Sequence, residues 1–179
     1  MRWPTAALLA LLVRAGCAGL EPKAGGTVQS AGDLRLSGRL SVQIAGSSSG
    51  RATGGNAGFE LTGNPAAGQL ALSTPLGNLL ARASWRDGRV ALQTNNDERR
   101  FDTLDALTRE LLGEAIPVAA LFDWLQGRPW PQSTHLALND GQGFEQLGWQ
   151  IDLSRLQQGL IIATRLSLPV VTLRARIDP

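Results

Sequence analysis

Leu34, Leu36, Leu40, Val42 and Ile44 share one parity of their stretch, with Gly38 among them, while Arg35, Ser37, Arg39, Ser41 and Gln43 hold the other. Successive side chains of a strand point to opposite faces, so this alternation predicts a β-strand with one buried and one wet face. The pattern recurs along the chain. Phe59/Leu61, Leu70/Leu72, Leu79/Ala81/Ala83/Trp85 and Val90/Leu92 read as further strands, with a turn at Asn64-Pro65-Ala66-Ala67-Gly68 and a hairpin at Asp87-Gly88. Leu136/Leu138, Trp149/Ile151/Leu153 and Val171/Leu173/Ala175/Ile177 continue it in the last third. The Gly/Ser-rich residues 45–56 read as one long loop.

Between these two groups of strands the period changes. Leu104, Leu107 and Leu111 recur at helical spacing, Asp102 or Thr103 can cap the start, and Gly113 closes the segment. Pro117 suits the first turn of a second helix, with Val118, Leu121, Phe122 and Leu125 on one stripe. Strands, two helices and more strands predict a mainly β fold: a strongly curved, unclosed antiparallel sheet or barrel with helices laid across it.

The first residues read as an export signal. Arg2 supplies a positive start, and residues 6–13 form an unbroken apolar run of eight. That is too short for a bilayer span of about 20 residues and suits a signal core. Ala15 and Gly16 are small, and Cys17 is the only cysteine, so no internal disulfide can form. Arg14-Ala15-Gly16-Cys17 resembles a bacterial lipobox, cut before a cysteine that receives acyl chains, although Arg14 departs from its usual aliphatic residue. The alternative is ordinary cleavage after Ala18, which discards Cys17. On the first reading residues 1–16 are a signal peptide, 17–33 a lipidated N-terminus and flexible tether, and 34–179 the folded domain.

Little in the chain points to catalysis. His135 is the single histidine and belongs to a strand whose apolar parity falls on Leu136 and Leu138, so it should point outward. It has no second histidine or cysteine as a partner in a metal site. Asp102, Asp105 and Glu110 sit near a helix start, where negative charge favours the helix dipole. The net charge is only +2 and the basic residues are scattered, which gives no phosphate-binding stripe for nucleic acid. No catalytic residue, metal or cofactor is expected. Apolar features stand out instead. Trp85, Trp124, Trp130 and Trp149 read first as core. In Thr74-Pro75-Leu76-Gly77, Pro and Gly fit a type I turn that puts Leu76 at a hairpin tip.

Four segments together resemble the LolB family of outer-membrane lipoprotein receptors. Leu36-Ser37-Gly38-Arg39-Leu40 is similar to its first strand, and Thr74-Pro75-Leu76-Gly77 to its Pro-Leu-Gly loop. Ile116-Pro117-Val118 through Trp124-Leu125-Gln126-Gly127-Arg128-Pro129 resembles its Leu-Pro-Val…Trp-Leu-x-Gly-Arg-Pro segment, and Gly143-Phe144-Glu145-Gln146-Leu147-Gly148-Trp149 its Gly-Phe-x-Gln-x-Gly-Trp element. Glu60, Leu61 and Leu156 depart from aromatic residues frequent in the family. The resemblance implies a helical lid over a hydrophobic cavity, which takes the acyl chains of lipoproteins from the soluble carrier LolA and releases them into the outer membrane. It implies a protein anchored there through Cys17, facing the periplasm, with the Pro75-Leu76-Gly77 loop entering the membrane. A monomer is expected. The apolar parity offers Leu40, Val42, Phe59, Leu61, Leu72 and Trp85 as candidate cavity residues. If Cys17 leaves with the leader, the alternative is a soluble LolA-like carrier.

Overall fold

The computed structural model describes residues 34–46, 53–139 and 141–179. Six strands come first: β1 (Leu34–Ile44), β2 (Thr53–Gly63), β3 (Ala67–Ser73), β4 (Leu79–Arg86), β5 (Arg89–Thr94) and β6 (Glu98–Phe101). Helices α1 (Leu104–Leu112) and α2 (Val118–Trp124) follow. The chain closes with β7 (His135–Ala137), β8 (Gly143–Gln146), β9 (Trp149–Asp152), β10 (Leu160–Arg165) and β11 (Val171–Ile177).

One antiparallel sheet takes all eleven strands in the order β6-β5-β4-β3-β2-β1-β11-β10-β9-β8-β7. Two meanders are therefore joined where the first strand pairs with the last, Gly38 opposite Ile177 and Ile44 opposite Val171. The sheet does not close, because β6 and β7 are its two free edges. The helices connect those edges in sequence, so the chain must cross the sheet between them. They cross its concave face, where Leu107, Val118, Leu121, Phe122 and Trp124 are buried.

Gly38 shows how tightly the two meanders meet. A Cβ there would lie 2.0 Å from the Arg176 carbonyl oxygen and 3.0 Å from the Phe59 ring. No other residue fits without parting β1 from β11.

Local chemistry explains the helix ends and hairpins. Thr103 Oγ1 accepts from the Ala106 N–H at 3.0 Å and caps α1, which Gly113 ends in the left-handed region. Asp87 and Gly88 both have positive φ, the signature of a type I′ hairpin. The α1–α2 connection hangs on Thr108, whose hydroxyl accepts from the buried Ile116 N–H at 3.0 Å.

The structure departs from the sequence reading in three places. Residues 53–56 are strand rather than loop, paired with residues 41–44 of β1. Strands β6, β8 and β10 were not legible from the alternation. Leu136 is 72 % exposed rather than inward, because register pairs it with exposed Glu145 on the outer face, the reverse of the expected parity. His135 instead shares the inner face, paired with buried Gln146 and with its ring 6.1 Å from Phe144, and it is exposed only because β7 is the sheet's edge.

Candidate functional site

Under α1, between the helix and the concave sheet, lies a cavity of about 220 Å³. The sheet side is made by Leu40 and Val42 of β1, Leu70 and Leu72 of β3, and Ala81 and Ala83 of β4. Leu107, Leu111 and Leu112 of α1 roof it, with Ile116, Val118 and Leu121 behind them. No lining residue carries a charge; Asn56 and Thr108 are the polar ones, and Thr108 already holds the Ile116 N–H. Such a surface offers dispersion and exclusion of water, which suits an alkyl chain and gives a polar ligand nothing to bond.

The space exists because of a gradient in side-chain size. On β2 the inward positions run Gly55, Ala57, Phe59, Leu61 away from the β1–β2 hairpin; Gly55 and Ala57 line the cavity. A Cβ on Gly55 would meet nothing within 4 Å. On β4, Ala81 and Ala83 precede Trp85 in the same direction. Register sets Ala81 and Ala83 level with Phe59 and Leu61, across Leu72 and Leu70, so the hollow runs diagonally from the small residues of β2 to those of β4.

That gradient sorts the six cavity candidates. Leu40, Val42 and Leu72 line the cavity. Phe59, Leu61 and Trp85 lie in the packed core, at 5 %, 1 % and 5 % exposure. Phe59 reaches over Gly38, while Trp85 meets Phe122 edge-on at 5.9 Å and donates its indole N–H to the Asn64 carbonyl at 3.1 Å. Parity shows which face a residue takes but not whether its neighbours fill the space beside it. The residues missed on the sheet are the small ones, Gly55, Ala57, Ala81 and Ala83, together with Leu70, Leu80, Leu92 and Leu173. On the lid they are Leu107 and Leu111, whose helical stripe was the available signal.

Leu80 and Leu111, 45 % and 41 % exposed, mark where this wall reaches solvent. Leu80 follows closely on the Thr74-Pro75-Leu76-Gly77 hairpin. There the Gly77 N–H donates to the Thr74 carbonyl at 2.9 Å, and the Asn78 N–H to Thr74 Oγ1 at 3.1 Å. Gly77 has φ +86, the left-handed position that follows a type I turn in a three-residue hairpin loop. Leu76 is held at the tip and is 89 % exposed.

A wider open recess of about 1230 Å³ lies at the far end of the strands, among Arg35, Arg86, Asp87, Arg89, Arg100 and Asp102. Its charged rim makes it a poor host for hydrocarbon. Asp152, the last residue of β9, has its carboxyl held below the usual range by the Ser154 hydroxyl and backbone N–H in the turn that follows. Among the described residues no three metal-binding side chains cluster, and no helix is long and apolar enough to cross a membrane. Cys17 lies outside the described residues.

Residues 33–178 match the family described as outer membrane lipoprotein LolB. The chain belongs to the LolB family. Among relatives bearing the name outer-membrane lipoprotein LolB, that of Bordetella petrii is 37 % identical over 172 residues, covering 91 % of this chain and 84 % of its own. That of Chromobacterium violaceum is 34 % identical, covering 82 % and 79 %, and that of Ralstonia nicotianae 32 %, covering 80 % and 72 %. The structure gives physical content to the LolB-like segments. Two of them, Trp124 to Pro129 and Gly143 to Trp149, are one hydrogen-bonded unit around Gln146, which is 2 % exposed. Its Oε1 accepts from the Trp124 indole and the Trp130 N–H, and its Nε2 donates to the Trp130 and Ser133 carbonyls, all at 2.8 Å.

Proposed function

We propose that this chain is a receptor on the periplasmic side of the outer membrane, which takes lipoproteins from a LolA-type carrier by their acyl chains and passes them into the membrane. The observation that carries the reading is an uncharged cavity whose wall reaches solvent close to a hairpin tipped by exposed Leu76, in a chain of the LolB family. Burying a methylene is worth about 0.8 kcal/mol, so an acylated protein needs such a shield to pass through water. The work is binding and release, with no catalytic residue and no cofactor, and a monomer suffices for it. Family membership favours the receptor over the soluble-carrier alternative.

The cavity is smaller than the roughly 300–1,000 Å³ of ordinary ligand sites. Several acyl chains therefore require α1 to lift. Its ion pair with the sheet, Arg99–Glu110 at 2.9 Å, has both side chains about half exposed. Pairs of that kind hold by only about 0–1 kcal/mol, so what lifting must give up is mainly the burial of Leu107 and the Thr108 bond to Ile116.

Transfer of an acylated lipoprotein from the carrier tests the reading directly. The wild-type chain should take up the cargo, and Ala81→Phe, which fills the cavity from β4, should lose most of that uptake while keeping a cooperative unfolding transition. Uptake by Ala81→Phe at the wild-type rate sinks the cavity as the acyl-chain site.

The anchor is a separate matter. Residues 1–16 are proposed as the signal peptide and 17–33 as the tether, with Cys17 carrying the lipid. Cys17→Ala should move the protein from the membrane to the soluble periplasmic fraction. A wild-type protein whose mature N-terminus is Gly19 by mass spectrometry refutes the anchor.

A further inference from the structure

Leu76 is not the only leucine held out at that end of the strands. β10 and β11 are joined by Leu166-Ser167-Leu168-Pro169-Val170, in which Leu166 is 60 % and Leu168 88 % exposed. β8 and β9 are joined by Leu147-Gly148, and Leu147 is 45 % exposed. Register places the two turns together, since Arg165 at the end of β10 faces both Trp149 at the start of β9 and Val171 at the start of β11. Their centres are two strand spacings apart, about 10 Å. Because neighbouring strands alternate in direction, both turns lie at the same end of the sheet as the Leu76 hairpin.

Neither turn is a slack loop. The Arg165 guanidinium pairs with Glu114 at 2.7 Å, lies 5.7 Å from the Trp149 ring and donates to the Pro169 carbonyl at 3.4 Å. The Val170 carbonyl accepts from the Ala45 N–H at 2.8 Å. Both ends of the β10–β11 turn are thus fastened, to the lid connection and to β1, while its leucines stay in water. Leu147 has φ +54, in a left-handed region that costs a leucine backbone strain and suits Gly or Asn. The hairpin tolerates that strain to keep a branched aliphatic at its tip.

We infer that Leu147, Leu166 and Leu168 form a second apolar foot, which rests in the interface of a phospholipid bilayer beside the Leu76 hairpin. Three features favour lipid over a protein partner. The two turns contain no charged and no aromatic residue, whereas protein hot spots are rich in Trp, Tyr and Arg. Bare leucines gain from hydrocarbon without any matching pocket. The charged residues exposed at this end, Asp97 and Glu98, sit in the β5–β6 turn on the far side of the Leu76 hairpin from these leucines, and Arg86, Asp87, Arg89 and Asp102 gather at the opposite end. The inference rests on the receptor reading, and its test separates the two.

Ser167→Cys in the full chain gives a unique labelling site, since Cys17 is either acylated or removed with the leader. With an environment-sensitive dye at that position and vesicles of phosphatidylethanolamine and phosphatidylglycerol, spin-labelled lipid should quench the emission strongly. The same dye on Asp87→Cys, at the opposite end, should be unaffected. Leu166→Ser with Leu168→Ser should leave uptake from the carrier unchanged and slow release into vesicles by at least about tenfold, the loss expected when even one of the two leucines is buried in the interface. An unquenched dye at 167, or release by the double variant at the wild-type rate, overturns the foot. So does a double variant that fails at uptake with no quenching, which assigns the turn to the carrier. Failure of the receptor reading looks different: the wild type takes no acylated cargo, and quenching at 167 still decides the foot.

Discussion

Leu76→Glu should fold like the wild type, accept acylated cargo from the carrier, and release almost none of it into membranes. The side chain is 89 % exposed and belongs to a turn closed by Thr74 and Gly77, so neither the core nor the cavity needs it. At a lipid interface, burying one leucine recovers about 1.5–3 kcal/mol, or one to two orders of magnitude in the population of docked receptor. A carboxylate there removes the gain and adds a desolvation cost, so a fall of about a hundredfold in release is expected. Leu76→Ile keeps the apolar tip and should be nearly silent. The geometry adds a requirement. Leu34 begins β1 at the end opposite the Leu76 hairpin, and β1 has 11 residues, about 36 Å of strand. The 17 residues from Cys17 to Asp33 reach at most about 55 Å when extended, so a lipid on Cys17 still lets the leucine end meet the bilayer. A two-stage assay, carrier to receptor and then receptor to liposomes, measures both steps. Delivery by Leu76→Glu at the wild-type rate reduces the hairpin to a plain turn, and an unfolded variant makes Leu76 a core residue.

What the sequence made legible followed from how strongly each feature constrains the backbone. The alternation in β1 is buried on one face, so a slip of one residue would expose every leucine, and its parity was readable. Asp87-Gly88 and Pro75 with Gly77 are turn chemistry with few alternatives, and both hairpins form. Elsewhere the signals were weak for physical reasons. β6 is an edge strand, Glu98-Arg99-Arg100-Phe101, with little to bury. Leu147-Gly148 turns the chain with a leucine where sequence rules expect Asn or Asp. Residues 53–56 have almost no side chains to alternate, so a glycine-rich strand reads as a loop. That last failure bears on the site itself. The cavity is made of side chains that are absent, at Gly55, Ala57, Ala81 and Ala83, and a pattern of apolar residues reports what is present.

Gln146→Leu should cost about 3–6 kcal/mol of stability, the largest single-residue loss expected outside the close approach at Gly38. The amide uses its full capacity: two acceptor sites on Oε1 for the Trp124 indole and Trp130 N–H, and two Nε2 hydrogens for the Trp130 and Ser133 carbonyls. Leucine matches it in size and leaves four protein groups without that partner, at about 1–3 kcal/mol for each one that stays buried. The Trp130 groups are only partly enclosed and water can reach some of them, which keeps the total below the full sum. Against a typical domain stability of about 5–15 kcal/mol the loss is large. Gln146→Glu separates lost shape from lost bonding. Its ionised form can still accept the two N–H groups but turns a second oxygen toward the two carbonyls. Protonation restores one donor, so the folded-state pKa of this glutamate should rise above its unfolded value. The stabilisation from that proton is complete below the unfolded pKa and is lost as pH climbs through the folded one. Gln146→Glu should therefore recover part of its deficit in acid, while Gln146→Leu, measured against wild type at each pH, should not. Urea unfolding of the three proteins on both sides of that window is the measurement. A Gln146→Leu variant within about 1 kcal/mol of wild type would mean that water replaces the amide, and that the Trp124 and Gln146 segments are neighbours without being a unit.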